Sequence, residues 1–146
     1  MKIYLDTSTL NRIFDDQSQA RIYLEASSIL VIFMLIENKV VEIVSSDVLL
    51  FENAQNPYNE RKVFVNSVLQ RANFYQVVND KILKRAQEIE THGISGIDSL
   101  HLACAEELKV DCFVTCDDKI VKKYKGKVKV KNPIKFIMGI IKEEEN

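Results

Sequence analysis

Glycine and proline are scarce in this chain, four and two among 146 residues, and tryptophan is absent. Glycines so few, and scattered singly, exclude a Gly-rich phosphate-cradling loop and nucleotide binding of that kind. No Gly/Ser/Pro-rich linker, low-complexity tract or internal repeat interrupts the chain, which predicts one domain over residues 1–146. Long hydrophobic runs are missing too: the most apolar, Ile29 to Ile36, has eight residues, whereas a membrane span takes about 20. The opening Met1-Lys2-Ile3-Tyr4-Leu5-Asp6 is charged too soon for a signal peptide. Three cysteines, an odd count, argue against a disulfide framework and for free thiols in a reducing cytoplasm. Neither charge is in excess: 20 basic against 21 acidic residues leave a net −1, so the whole-molecule field announces no partner.

What remains is an ordinary globular composition, 47% hydrophobic and 28% charged, on a chain long enough for a core without staples. Its segments alternate in type. Residues 2–5 read as a short buried strand. Asp16 and Gln19 fit a capping box that opens a long helix to about Asn38, with Ile22, Ala26, Ile29, Phe33 and Ile36 on its apolar face. A strand at 41–44 is followed by a helix from Ser46 to about Gln55, broken by Asn56-Pro57. Next come a helix from Asn59 to Ala72 with Val63, Val65, Val68 and Leu69 inside, and a strand at 74–78. Asn79 caps a helix bearing Ile82, Leu83, Ala86 and Ile89. A helix at 97–108, a strand at 111–115, a helical turn at 118–124, an edge strand at 128–130 and a helix at 134–142 complete the pattern. Strands separated by helices predict an α/β fold, a central and mainly parallel sheet with helices on both faces. Ligand sites in such sheets lie beyond the carboxyl ends of the strands.

Four acids, far apart in sequence, fall at such ends or open the segment that follows: Asp6, Glu52, Asp98 and Asp117. Carboxylates gathered at one crevice repel and raise each other's pKa. A hard divalent cation with oxygen ligands, Mg²⁺ or Mn²⁺, relieves that repulsion. The pattern points to metal-assisted phosphodiester chemistry. Plainer roles compete: Asp6 would cap the turn after the first strand, Asp98 would suit the first turn of a helix by the dipole alone, and Asp117 or Asp118 would open a helix. Glu37 competes with Glu52 as the second acid. From Lys119 to Lys135 there are eight lysines and no acid. Lys119, Lys122 and Lys123 beside the acids would hold a polyanion; equally, the stretch would serve as a solvated helix face and a protected edge strand. His101, Cys104, Cys112 and Cys116 lack the tight-turn pairing of zinc ligands, and small buried thiols explain the cysteines better.

In order, Tyr4-Leu5-Asp6-Thr7-Ser8, Ser46-Asp47-Val48-Leu49-Leu50-Phe51-Glu52, Ile97-Asp98-Ser99-Leu100-His101-Leu102-Ala103 and Val114-Thr115-Cys116-Asp117-Asp118 resemble the PIN domain over essentially the whole chain. The resemblance implies a three-layer α/β fold and a Mg²⁺- or Mn²⁺-dependent ribonuclease, including the toxins of many prokaryotic toxin–antitoxin pairs. It implies Asp6, Glu52, Asp98 and Asp117 as the metal-binding catalytic acids. Thr115 matches a hydroxyl residue that orients the site, Ser8 a small polar position after the first acid, and Asp118 an additional acid at a variable position. The implied substrate is RNA and the implied partner an antitoxin, with apolar helix surface for it or for a homodimer. A metal-activated water would attack phosphorus in line, leaving 5′-phosphate and 3′-hydroxyl ends. The segment Asn11 to Gln17 is outside the general family pattern. A noncatalytic PIN-like module, binding RNA or protein through the lysines of 119–135, is the alternative.

Overall fold

The computed structural model describes residues 1–145. Five strands, β1 (Lys2–Leu5), β2 (Glu42–Ser46), β3 (Phe74–Gln76), β4 (Cys112–Val114) and β5 (Val130–Lys131), form one sheet in the order β3-β2-β1-β4-β5. All four pairings are parallel, and Ile3 lies opposite Ile43 on one side and Cys112 on the other. Eight helices flank the sheet: α1 (Thr7–Asn11), α2 (Ala20–Glu37), α3 (Asp47–Ala54), α4 (Asn59–Leu69), α5 (Asp80–Glu90), α6 (Gly96–Glu107), α7 (Asp118–Lys123) and α8 (Pro133–Glu145). None of the described helices is long and apolar enough to cross a membrane.

Burial explains the central strands. Ile3, Tyr4, Leu5, Phe113 and Val114 are all essentially inaccessible, so β1 and β4 read as unbroken apolar runs, as strands covered on both faces do. The ring of Tyr4 stacks on Phe113 and meets His101 of α6 edge-on. The chain lays β1, β2 and β3 outward to one side, then returns to place β4 on the other side of β1. Loops leaving β1 and β4 therefore diverge, and the crevice between them is where doubly wound sheets take their ligands. Asp6 directly follows β1, and Thr115, Cys116 and Asp117 follow β4.

The expected elements are all present, with ends moved by a few residues, and two local expectations fail. The capping box at Asp16 does not form: Asp16 accepts from the Ser18 N–H in a tight turn, and Gln19 precedes α2 without a side-chain cap. Val63 is exposed rather than interior, because it stands off the face set by Val65, Val68 and Leu69 in α4; Leu83 likewise lies off the buried face of α5 set by Ile82, Ala86 and Ile89. The segment after β1 is α1 followed by a 3₁₀ turn at Arg12–Phe14, too short to carry a periodic apolar signal. Low glycine content is met by lysine at two helix ends. Lys39 and Lys109 adopt left-handed φ values of 58° and 54° after α2 and α6, where Val40 and Val110 N–H groups return to Leu35 and Ala105 carbonyls.

Candidate carboxylate site

Asp6 stands at the start of α1, at the carboxyl end of the innermost strand, and is 3% exposed. Its Oδ1 accepts from Ser8 Oγ at 2.8 Å and from the Thr9 N–H at 3.0 Å; its Oδ2 accepts from Thr115 Oγ1 at 2.6 Å. All three donors are neutral. Burial pushes the Asp6 carboxyl above its ordinary pKa, and the hydrogen bonds from Thr115 and Ser8 only partly offset it. Thr115 also accepts from the Asp117 N–H at 3.0 Å, and Ser8 Oγ accepts from the Cys116 N–H at 3.3 Å. The two hydroxyls thus bind the loop after β4 to the loop after β1.

Asp98 lies half-buried in the first turn of α6, where Ser95 Oγ donates to its Oδ2 at 2.9 Å. Burial raises its pKa, and the charges of Asp6 and Asp117 raise it further. These three carboxylates therefore share one electrostatic neighbourhood. Glu52, near the end of α3, meets Thr7, the residue that follows Asp6 in the chain. Its Oε1 accepts from His101 Nε2 at 2.8 Å and from Thr7 Oγ1. Burial pushes the Glu52 carboxyl up, but the bonds from His101 and Thr7 outweigh it and hold the pKa below the ordinary value.

Comparison with known proteins decides the family. The PIN domain profile matches residues 3–126. The chain belongs to the PIN domain family. Solved structures share the fold at low identity. VapBC2 from Rickettsia felis, bound to a DNA fragment from its promoter, matches with a TM-score of 0.58 and 17% identity, covering 90% of this chain and 98% of that one. VapC20 from Mycobacterium tuberculosis, a sarcin–ricin loop cleaving toxin, gives 0.56 and 15%, covering 84% and 96%. FitAcB from Neisseria gonorrhoeae gives 0.53 and 19%, covering 90% and 97%. No curated protein sequence matches the chain.

Within this PIN domain the acids differ in how they are answered. Among the described residues, no Lys or Arg forms an ion pair with Asp6, Asp98 or Asp117. The donor set is all oxygen, three carboxylates with hydroxyls beside them, and this chemistry suits a hard cation such as Mg²⁺ or Mn²⁺. Among the described residues, no three Asp, Glu, His or Cys side chains already converge as a metal cage, so a cation would have to draw the carboxylates together.

The other acids are occupied. Asp118 forks onto Arg21 at 2.6 and 2.8 Å, which takes this secondary candidate out of the cluster. Glu37 pairs with Arg71, remote from Asp6. The lysine stretch divides into two. Lys119, Lys122 and Lys123 are exposed on α7, immediately after Asp117. Lys127, Lys129 and Lys131 instead line a cavity of about 510 Å³ together with Met1 and Asp111, at the amino ends of β1 and β4. Cys104, Cys112 and Cys116 are free and buried, with burial pushing their thiols up to about 12, 11 and 12. The sequence pointed to none of the roles of Tyr4, Thr7 and Ser46 around Glu52. Tyr4 was readable only as an apolar strand residue, although a buried hydroxyl always requires a partner.

Proposed function

We propose that this chain is a Mg²⁺- or Mn²⁺-dependent endoribonuclease, the toxin half of a toxin–antitoxin pair, working at the carboxyl edge of its sheet. One observation carries the reading: Asp6 is a buried carboxylate whose hydrogen-bond donors are all neutral, and its charge acts together with that of Asp117 on Asp98. Asp6, Asp98 and Asp117 would hold the cation, with Glu52 completing the set. When bound, such a cation supplies charge neutralisation at the scissile phosphate and a more acidic water. The chain's own residues do the rest. Thr115 and Ser8 fix both oxygens of Asp6. His101 and Thr7 fix Oε1 of Glu52 and leave its second oxygen for water. Lys119, Lys122 and Lys123 on α7 attract the RNA backbone to the rim.

Membership of the PIN domain family and likeness to VapC20, described as cleaving the sarcin–ricin loop, support RNA as the substrate. Likeness to VapBC2 supports a partner protein. The outer face of α2 exposes Tyr23, Leu24, Leu30 and Met34, apolar surface that an antitoxin or a second copy of the chain would cover.

The test is Mn²⁺ binding by calorimetry on the wild type and Asp98→Asn, followed by RNA cleavage. Affinity weakened at least about tenfold in the variant supports the site. A folded wild type that binds no Mn²⁺ overturns it. The exposed lysines of α7 favour a second reading, a noncatalytic RNA-binding module. Such a module keeps its RNA affinity and salt dependence in Asp6→Asn, whereas the nuclease loses cleavage.

A further inference from the structure

Glu52 is steered by residues of other elements, and the bonds that steer it run back into the core. Tyr4, in the middle of β1, and His101, on α6, are both 0% exposed. The Tyr4 hydroxyl lies 2.8 Å from Ser46 Oγ and 2.6 Å from His101 Nδ1. His101 Nε2 lies 2.8 Å from Glu52 Oε1, and Ser46 Oγ accepts from the Leu49 N–H at 3.1 Å.

Donor counting gives this chain a direction. An ionised Glu52 only accepts, so Nε2 must carry a proton. In a neutral ring Nδ1 is then bare and accepts from Tyr4, which spends the one hydrogen of the phenol. Ser46 must donate to the Tyr4 oxygen, as it is free to do, because Leu49 uses a lone pair and not its hydrogen. The opposite direction leaves a bare Nε2 facing a carboxylate. A second proton, on Nδ1, would reverse the Tyr4 link and turn the phenol hydrogen toward Ser46. The order Ser46 to Tyr4 to His101 to Glu52 satisfies every group.

We propose that Tyr4 and His101 are positioning residues that lock the Glu52 carboxylate toward the metal-binding acids, an inference that rests on the function proposed above. Both donors to Glu52 land on Oε1, and among the described residues Oε2 carries no hydrogen bond. One oxygen is anchored and the other is presented. Phenylalanine at position 4 would stack on Phe113 equally well and bury no hydroxyl, so the hydroxyl serves the relay and not the packing. Outer groups of this kind orient ligands and set their affinity.

The experiment has a metal-free arm and a metal arm, both on the full chain. Long-range proton–nitrogen correlation spectra of the His101 ring, near neutral pH with chelator, are compared for wild type, Tyr4→Phe and Glu52→Gln. The wild type is expected to be neutral with its proton on Nε2, and both substitutions shift the ring resonances. Mn²⁺ calorimetry then finds Tyr4→Phe about tenfold weaker than wild type, while Ile43→Val, a packing change outside the relay, leaves the affinity unaltered. A proton on Nδ1, a doubly protonated ring, or Mn²⁺ affinity unchanged in folded Tyr4→Phe overturns the proposal. The wild-type spectrum needs no variant, so the direction of the relay is decided even if Tyr4→Phe does not fold. Absence of Mn²⁺ binding in the wild type is the failure of the metal-site reading, and the tautomer, read without metal, reports the relay separately.

Discussion

Asp6 and Glu25 are both carboxylates withdrawn from water, 3% and 0% exposed, and the protein answers them in opposite ways. Glu25, on the inner face of α2, lies 3.0 Å from Arg12 Nε, an ion pair without the alignment of a hydrogen bond. It also accepts from Arg21 Nε at 3.2 Å and Asn132 Nδ2 at 2.5 Å. Arg12 goes on to Asp15, Asp15 to Arg61, and Arg21 to Asp118. This network ties the Asn11 to Gln17 segment to α2, α4 and α7, a structural role for residues outside the general PIN pattern. Asp6 has neutral hydroxyls and a backbone N–H as its hydrogen-bond partners instead. A buried charge compensated inside the chain is complete. One met only by neutral donors has no ion pair inside the chain to offset its burial.

Substitutions at these two positions should separate a chemical from a structural carboxylate. Asp6→Asn is expected to reduce RNA cleavage at least about 10³-fold, roughly 4 kcal/mol of transition-state stabilisation, with little change in metal-free thermal stability. Steady-state cleavage beside a melting curve checks it; retained cleavage would place the chemistry elsewhere. Glu25→Ala is expected to do the reverse. It leaves Arg12 without its buried partner and costs about 3 kcal/mol of folding stability, read by urea unfolding. A small loss there would mean that the network is dispensable.

Acid titration sharpens the contrast. Burial holds the Asp6 and Asp98 carboxyls above their ordinary values, so the folded chain binds those protons more tightly than the unfolded one. The stability they contribute is complete below the ordinary carboxylate pKa and is lost as pH rises through the raised values. Glu52, held low by His101 and Thr7 against its burial, contributes stability present above the ordinary glutamate pKa and lost as pH falls. Metal-free Asp98→Asn should therefore lose less stability than wild type as pH rises from about 4 to about 7. Melting curves with chelator at several pH values test this, and parallel profiles for the two proteins would refute it. The smallest effect belongs to Asp118→Asn. Its pair with Arg21 is half exposed on both sides, so stability should barely change and Mn²⁺ affinity should not move. A marked loss of affinity would return Asp118 to the site.

Much of this was legible in the residues, for reasons that are local. Asn79 caps α5 through the Ile82 N–H and Ser46 caps α3 through the Leu49 N–H, as side chains of those types do wherever a helix starts. Asp6 and Asp117 follow apolar runs, and a parallel sheet puts such positions at its ligand-binding edge. The burial of Glu25 was not legible, since a glutamate on a helix face looks the same whether or not two arginines reach it. Nor was the division of the lysines, which depends on where the strands end in space.

By itself, then, the sequence determined the succession of strands and helices, the parallel α/β architecture and the acids that close strands, because periodicity, capping and chain reversal act over a few residues. Only the tertiary structure decided that β4 lies beside β1, that Arg21 takes Asp118 across 97 positions, and that Tyr4, His101 and Glu52 form one line of hydrogen bonds. Those outcomes depend on groups distant in the chain meeting within hydrogen-bond reach, and no local spacing encodes such a meeting.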